Sequence, residues 1–256
     1  MAKKKKHQQF RWFYFGIIFG AVVLLSYMVF GGKSNPEPTF AEYKEFGIPI
    51  PQNYQIHGID VSKYQKRIDW DAVKSMRVEN VQLGFAFIKA TEGIKDIDPN
   101  FKKNWENAKH AGLARGAYHF FVPTKDGTPQ TKTFIKVVKL ESGDLPPVLD
   151  VENNFGLPPK KLRRQVKRWL DTIEKAYGVK PIIYTYVNFY ERFLDQEFDD
   201  YPMWVAHYFQ SERPRIARSW SFWQHNDQGK VNGIKHRVDF NVFNGDSTAF
   251  RALLVP

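Results

Sequence analysis

The chain has 256 residues, of which 43% are hydrophobic and 25% charged, an ordinary globular composition with room for one sizeable core or two small ones. It contains no Cys, which excludes disulfides, thiolate metal sites and a Cys nucleophile. The formal charge of +11 is uneven: residues 1–36 carry six basic side chains and no acid, leaving 32 basic against 27 acidic residues elsewhere, so the excess is a weak reason to expect a nucleic-acid partner and none is expected.

Trp12 to Phe30 is an apolar run without a charge, preceded by Lys3 to Lys6 and Arg11. As a helix it would span about 28 Å, close to the thickness of a bilayer core. Aromatic side chains cluster at both ends, as membrane interfaces favour. Residues 1–11 are therefore read as a cytoplasmic basic segment and 12–30 as a retained transmembrane signal anchor, in preference to a cleaved signal peptide with its shorter apolar region. This reading makes the membrane a partner and places the rest of the chain outside the cytoplasm, in the periplasm or at the cell surface. Residues 31–54, with Gly31-Gly32, Pro36, Pro38, Pro49 and Pro51, read as an extracytoplasmic linker with room for a short helix over Phe40 to Phe46.

From residue 55 the pattern changes. Gln55–Ser62, Phe85–Ala90, Ala114–Phe121, Val148–Glu152 and Pro181–Tyr186 read as strands. Trp70–Met76, Asn100–Ala111, Thr131–Leu140 and Pro159–Tyr177 read as helices, the last with Pro in its first turn and Gly178 past its end. Strands alternating with helices imply a parallel sheet. Met203–His207, Ser221–His225 and Val238–Phe240 are short strands with less room for helices between them. Residues 55–256 are thus expected to form an α/β barrel that begins as β/α units and closes with plainer strands.

Asp150-Val151-Glu152 ends an apolar strand. Alternate side chains of a strand point to one face, so these two acids would project together, their Cα atoms about 6.5 Å apart. Paired carboxylates at about this reach suit cleavage of a glycosidic bond, one giving a proton and the other supporting positive charge on the sugar. A solvated polar strand end is the plain alternative. Active sites of β/α barrels lie at the C-terminal ends of the strands. Asp60 ends the first strand and Asp239 sits in the last, so four carboxylates are expected at one mouth. Tyr118, Tyr184, Trp204 and Gln224 lie near strand ends and are candidates for lining a sugar groove. His57 is expected to be buried and structural, and Glu92 to sit in an ion pair. No His spacing suits a metal-binding helix, and neither a metal nor a cofactor is expected.

Several segments together are similar to one known family. His57-Gly58-Ile59-Asp60-Val61-Ser62 with Gln65 and Ile68-Asp69-Trp70 resembles the opening signature of the family 25 glycoside hydrolases, the N,O-diacetylmuramidase lysozymes. Phe87 to Gly93, Gly116 to Phe120, Asp150-Val151-Glu152, Pro181 to Thr185, Trp204 to Tyr208, Phe222-Trp223-Gln224 and Val238 to Asn241 follow in the family's order. The resemblance covers about residues 55 to 245. It implies a flattened, TIM-like barrel of five β/α units plus three further strands. It also implies hydrolysis of the beta-1,4 bond between N-acetylmuramic acid and N-acetylglucosamine in the glycan strands of peptidoglycan; a monomer is expected. Glu152 would be the general acid. Asp150 would act as nucleophile or orient the substrate's own acetamido group, and Asp60 and Asp239 would complete the acidic site. Either role open to Asp150 retains configuration. A membrane-tethered peptidoglycan-binding module without turnover is the alternative, but such a module would have no use for the four acids. The chain departs from the family at Lys66-Arg67, where members often carry Gly, and at the basic run Lys235-His236-Arg237.

Overall fold

The computed structural model describes residues 40–210 and 212–256. It opens on an antiparallel hairpin of β1 (Phe40–Tyr43) and β2 (Ile48–Pro51). Next come β3 (His57–Val61), the two-residue β4 (Arg77–Val78), β5 (Val81–Glu92), the two-residue β6 (Asp96–Ile97), β7 (Ala114–Phe120) and β8 (Val148–Asp150). The last strands are β9 (Ile182–Tyr186), β10 (Met203–Ala206), β11 (Phe222–Gly229) and β12 (Val238–Phe243). β4 and β6 pair only with β5. The other eight close a ring in the order β3, β12, β11, β10, β9, β8, β7, β5, with β5 pairing back to β3.

The ring is a mixed barrel with flanking helices, which corrects the expectation of a TIM-like barrel of five β/α units plus three strands. β12 runs antiparallel to both neighbours, while the other neighbouring pairs of the ring are parallel. The reason is connection length. Parallel neighbours need a crossover of a dozen or more residues, whereas residues 230–237 between β11 and β12 are enough only for a reversal. Regular helices follow β3 (Trp70–Ser75), β5 (Phe101–His110), β7 (Gly127–Val137) and β8 (Pro159–Tyr177). After β9 come only short helical turns through Phe198, and among the described residues no helix lies between β10 and β11.

The period of two along each strand sorts the core into two layers. Phe85, Val148, Ile182, Trp204, Phe222 and Phe243 face into the barrel, where Phe250 of the C-terminal helix Ser247–Leu253 joins them. Ala86, Leu149, Ile183 and Val205 face outward against the helices. The helix Pro159–Tyr177 buries Leu162, Val166, Trp169, Leu170 and Ile173 at helical spacing and ends on Gly178 at φ 71°. Inside the barrel, large rings meet glycines: a Cβ on Gly58 or Gly116 would lie 2.5 Å from the rings of Phe85 and Phe87.

The hairpin packs on the barrel wall that lacks helices. Phe46 and Phe240 meet edge to face at 5.4 Å, and the Phe46 carbonyl accepts from the Lys230 amide at 2.8 Å. Residues 40–51, which composition assigns to a linker, therefore contribute Tyr43, Phe46, Ile48 and Ile50 to the core, and Phe40–Tyr43 is strand rather than helix.

The transmembrane anchor expected over 12–30 lies outside the described residues. Among the described residues no helix is long and apolar enough to cross a membrane. The anchor, the membrane as a partner and the extracytoplasmic address rested on that one segment, and no helix among the described residues supports them.

Candidate active site

The alternation that points Val148 into the barrel also points Asp150 inward, one layer higher, and Glu152 above it, while Val151 turns outward into the helix layer. Asp60 and Asp239 are direct partners across the antiparallel β3–β12 pair. Asp60, Asp150, Glu152 and Asp239 all line one cavity of about 310 Å³ at the end of the barrel where the parallel strands finish. A second cavity, of about 300 Å³, shares Glu152, Tyr184 and Tyr208 with the first. The two together make a groove that passes Glu152 on both sides.

A hydrogen-bonded frame holds Asp60. Its Oδ2 accepts from Gln224 Nε2 at 2.7 Å and from Asn241 Nδ2 at 2.8 Å. Gln224 Oε1 in turn accepts from the hydroxyls of Tyr184, at 2.8 Å, and Tyr208. Asn241 Oδ1 accepts from Trp204 Nε1 at 2.7 Å. The donor-only Trp204 indole fixes the orientation of the Asn241 amide, and the two tyrosine hydroxyls that donate to Gln224 Oε1 leave its N–H group for Asp60. Asp150 is held differently. Its backbone carbonyl accepts from the Phe121 amide at 2.8 Å, but its buried side-chain Oδ1 has no partner among the described residues.

Burial pushes all four acids upward, and repulsion from neighbouring acids adds to it at Asp60, Asp150 and Asp239. Asp60 is raised well above an ordinary carboxyl, chiefly by burial and then by Asp239, against the opposing pull of Asn241 and Gln224. Asp150 is also raised well above, by burial and by Glu152, with Lys89 opposing. Burial raises Glu152 while Lys89 lowers it. Burial and Asp227 raise Asp239 to about 7. Desolvated carboxyls this close cannot all ionise together. The groove therefore keeps protons near neutral pH, as an acid catalyst requires.

Among the expected lining residues, Tyr118, Tyr184 and Gln224 border the first cavity. Trp204 does not. It is buried beneath the groove, stacked on Phe87 at 4.3 Å and packed against Tyr184 at 4.4 Å. Lys89 and Tyr208, which border the cavity, and Asn241, which holds Asp60, are positions that sequence reasoning did not single out. Lys89 is a charge within an apolar strand, Tyr208 falls two residues beyond the end of β10, and Asn241 shares an alternation with Asp239; each signal was present. Lys89 Nζ also pairs with Glu92 at 2.7 Å and sits 4.8 Å over the Phe120 ring. His57 is buried, as expected. Among the described residues no group of three or more His, Cys, Asp or Glu is placed to hold a metal ion.

Comparison with known proteins adds three likenesses. The Escherichia coli K12 protein YegX is 46% identical over 234 residues, spanning 91% of this chain and 84% of that protein. Lysozyme M1 of Streptomyces globisporus is 35% identical over 217 residues, spanning 77% and 71%. The structure of a family 25 glycosyl hydrolase from Bacillus anthracis superposes with a TM-score of 0.72 at 31% identity, covering 88% of this chain and all of that one. Residues 59–234 match the glycosyl hydrolases family 25 as a whole. The chain belongs to glycosyl hydrolases family 25 and is a glycoside hydrolase of the lysozyme, or muramidase, type with activity on peptidoglycan.

Proposed function

We propose that the groove cleaves the beta-1,4 bond between N-acetylmuramic acid and N-acetylglucosamine with retention, Glu152 acting as general acid and Asp150 orienting the substrate's acetamido group. The observation that carries this reading is the buried, unpartnered Asp150 Oδ1 beside Glu152. A buried polar atom without a partner is costly, and an acetamido N–H gives Oδ1 the donor it lacks. Glu152, whose hold on its proton is strengthened by burial, donates to the glycosidic oxygen as the bond to the leaving sugar breaks. The acetamido oxygen, steered by Asp150, attacks the anomeric carbon from the opposite face. Water then opens the resulting ring while Glu152 takes back a proton. Asp60 and Asp239 support the site, Asp60 through its fixed frame and Asp239 as a second proton-holding acid. Tyr118, Tyr184 and Gln224 border the sugar, and Trp204 acts from below through Asn241.

Proton NMR of the first products tests the stereochemistry: retention leaves the β-anomer first, and initial α-anomer would overturn the scheme. Asp150→Asn should lower kcat by about 10²-fold or more without unfolding the chain. A variant with undiminished kcat would remove Asp150 from its role.

A further inference from the structure

The two basic departures noted in the sequence, 170 residues apart in the chain, meet in space. Lys66 and Arg67 lie on the loop after β3, Lys235 and His236 on the loop before β12, and all four line a single cavity of about 560 Å³. Two staples hold the loops together. Gln65 Nε2 donates to the Arg237 carbonyl at 2.9 Å, and the Asp69 amide donates to the Gly233 carbonyl at 3.0 Å. Gly233 has φ 86°, and a Cβ there would lie 2.3 Å from the Asp69 carbonyl oxygen, so the second staple requires glycine.

The cavity is cationic and uncompensated. Lys66, Arg67 and Lys235 are exposed and make no ion pair among the described residues. The one acid in the lining, Asp69, caps the following helix, its Oδ1 accepting from the Ala72 amide at 3.1 Å. Lys66 holds φ 57° and ψ −129°, a conformation that costs a residue with a side chain and suits glycine. The chain thus keeps a strained lysine at the lip of a basic cavity. Gln65 lines both this cavity and the catalytic groove, so the two adjoin.

We propose that this cavity receives the peptide stem carried by muramic acid, binding its carboxylates through Lys66, Arg67 and Lys235. The inference rests on the muramidase reading of the groove and adds a substrate preference to it. A stem hangs from a sugar at the cleavage point, so its carboxylates lie within reach of a cavity that adjoins the groove. Clustered unpaired cations facing it give the charge complementarity.

The test compares glycan strands carrying stems with the same strands stripped by an amidase, using the full chain and the variant Lys66→Gln/Arg67→Gln/Lys235→Gln. Wild type should show a KM about tenfold lower on stem-bearing strands at low salt, with kcat unchanged and the preference fading as salt rises. The variant should lose the preference and match wild type on stripped strands. Lys66→Gly should melt higher than wild type and still lose part of the preference, which a purely structural role would not produce. Equal wild-type KM values on the two polymers would overturn the proposal and leave the muramidase reading standing. So would a preference surviving in the triple variant, or competition by poly(glycerol phosphate) but not by free stem peptide. Failure to cleave either polymer would overturn the muramidase reading and this inference together.

Discussion

Among the described residues Lys89 is the one cation bordering four carboxyls, and it pulls both Asp150 and Glu152 down against their burial. Its removal leaves burial unopposed. Lys89→Met should therefore move the alkaline limb of the pH–kcat profile upward, because Glu152 would keep its proton to higher pH. A limb that stays in place or moves to lower pH would count against Glu152 as the acid. Asp239 offers a stability counterpart. A carboxyl whose folded pKa is raised holds its proton more tightly when folded. Its contribution is fully present below the unfolded value of 3.8 and is lost as pH climbs to about 7. Asp239→Asn should thus gain stability over wild type progressively across that window, reaching on the order of 2–4 kcal/mol above it. Urea unfolding at the two ends of the window measures it, and a variant less stable than wild type at the alkaline end would contradict the assignment. Most of these residues were legible in the sequence, since a carboxyl ending an apolar strand is conspicuous. Trp204 was misplaced by one layer. It lies two residues before the end of β10, so it packs under the groove, while Tyr208, beyond that end, borders it.

At the scale of elements, the strands and helices of residues 57–206 follow the hydrophobic period closely, because a strand buried on both faces and an amphipathic helix leave different spacings. Two elements were not legible. Pro49 and Pro51 suggested a tether, yet a two-stranded hairpin is all edge and tolerates proline. The reversed direction of β12 is not written in its alternation, which is the same whichever way a strand runs; only the short β11–β12 connection carried it. Packing between elements also makes sharp predictions. Arg115 Nε pairs with Asp144 Oδ1 at 2.7 Å, both side chains nearly fully buried, and its guanidinium lies 4.0 Å over Trp105. Asp144→Ala should cost about 3–5 kcal/mol in urea unfolding, since it leaves the buried Arg115 guanidinium only the exposed Glu141 as an ionic partner; a loss under about 1 kcal/mol would show the Asp144 pair to be dispensable. Gly116→Ala should cost about 1–3 kcal/mol by forcing the Phe87 ring aside.

The described residues form a barrel whose lower interior is filled by aromatic and aliphatic side chains and whose upper interior is given to acids. The same inward-pointing rows serve both ends: Phe85, Phe87 and Lys89 on β5, Val148, Asp150 and Glu152 along and beyond β8, Phe243, Asn241 and Asp239 on β12. Stability below is what holds unfavourable chemistry above. The hairpin belongs to this plan as the cover for the helix-free wall. Phe46→Ala should accordingly destabilise the barrel by about 3–5 kcal/mol, and a neutral effect would make the hairpin an ornament. The proposal is that Glu152 works this acidic mouth as a muramidase site. Its most direct test is mass spectrometry of the reducing ends released from purified peptidoglycan by wild type and by Glu152→Gln. Wild type should release reducing-end N-acetylmuramic acid and a folded Glu152→Gln none. Reducing-end N-acetylglucosamine, or undiminished release by the variant, would contradict it.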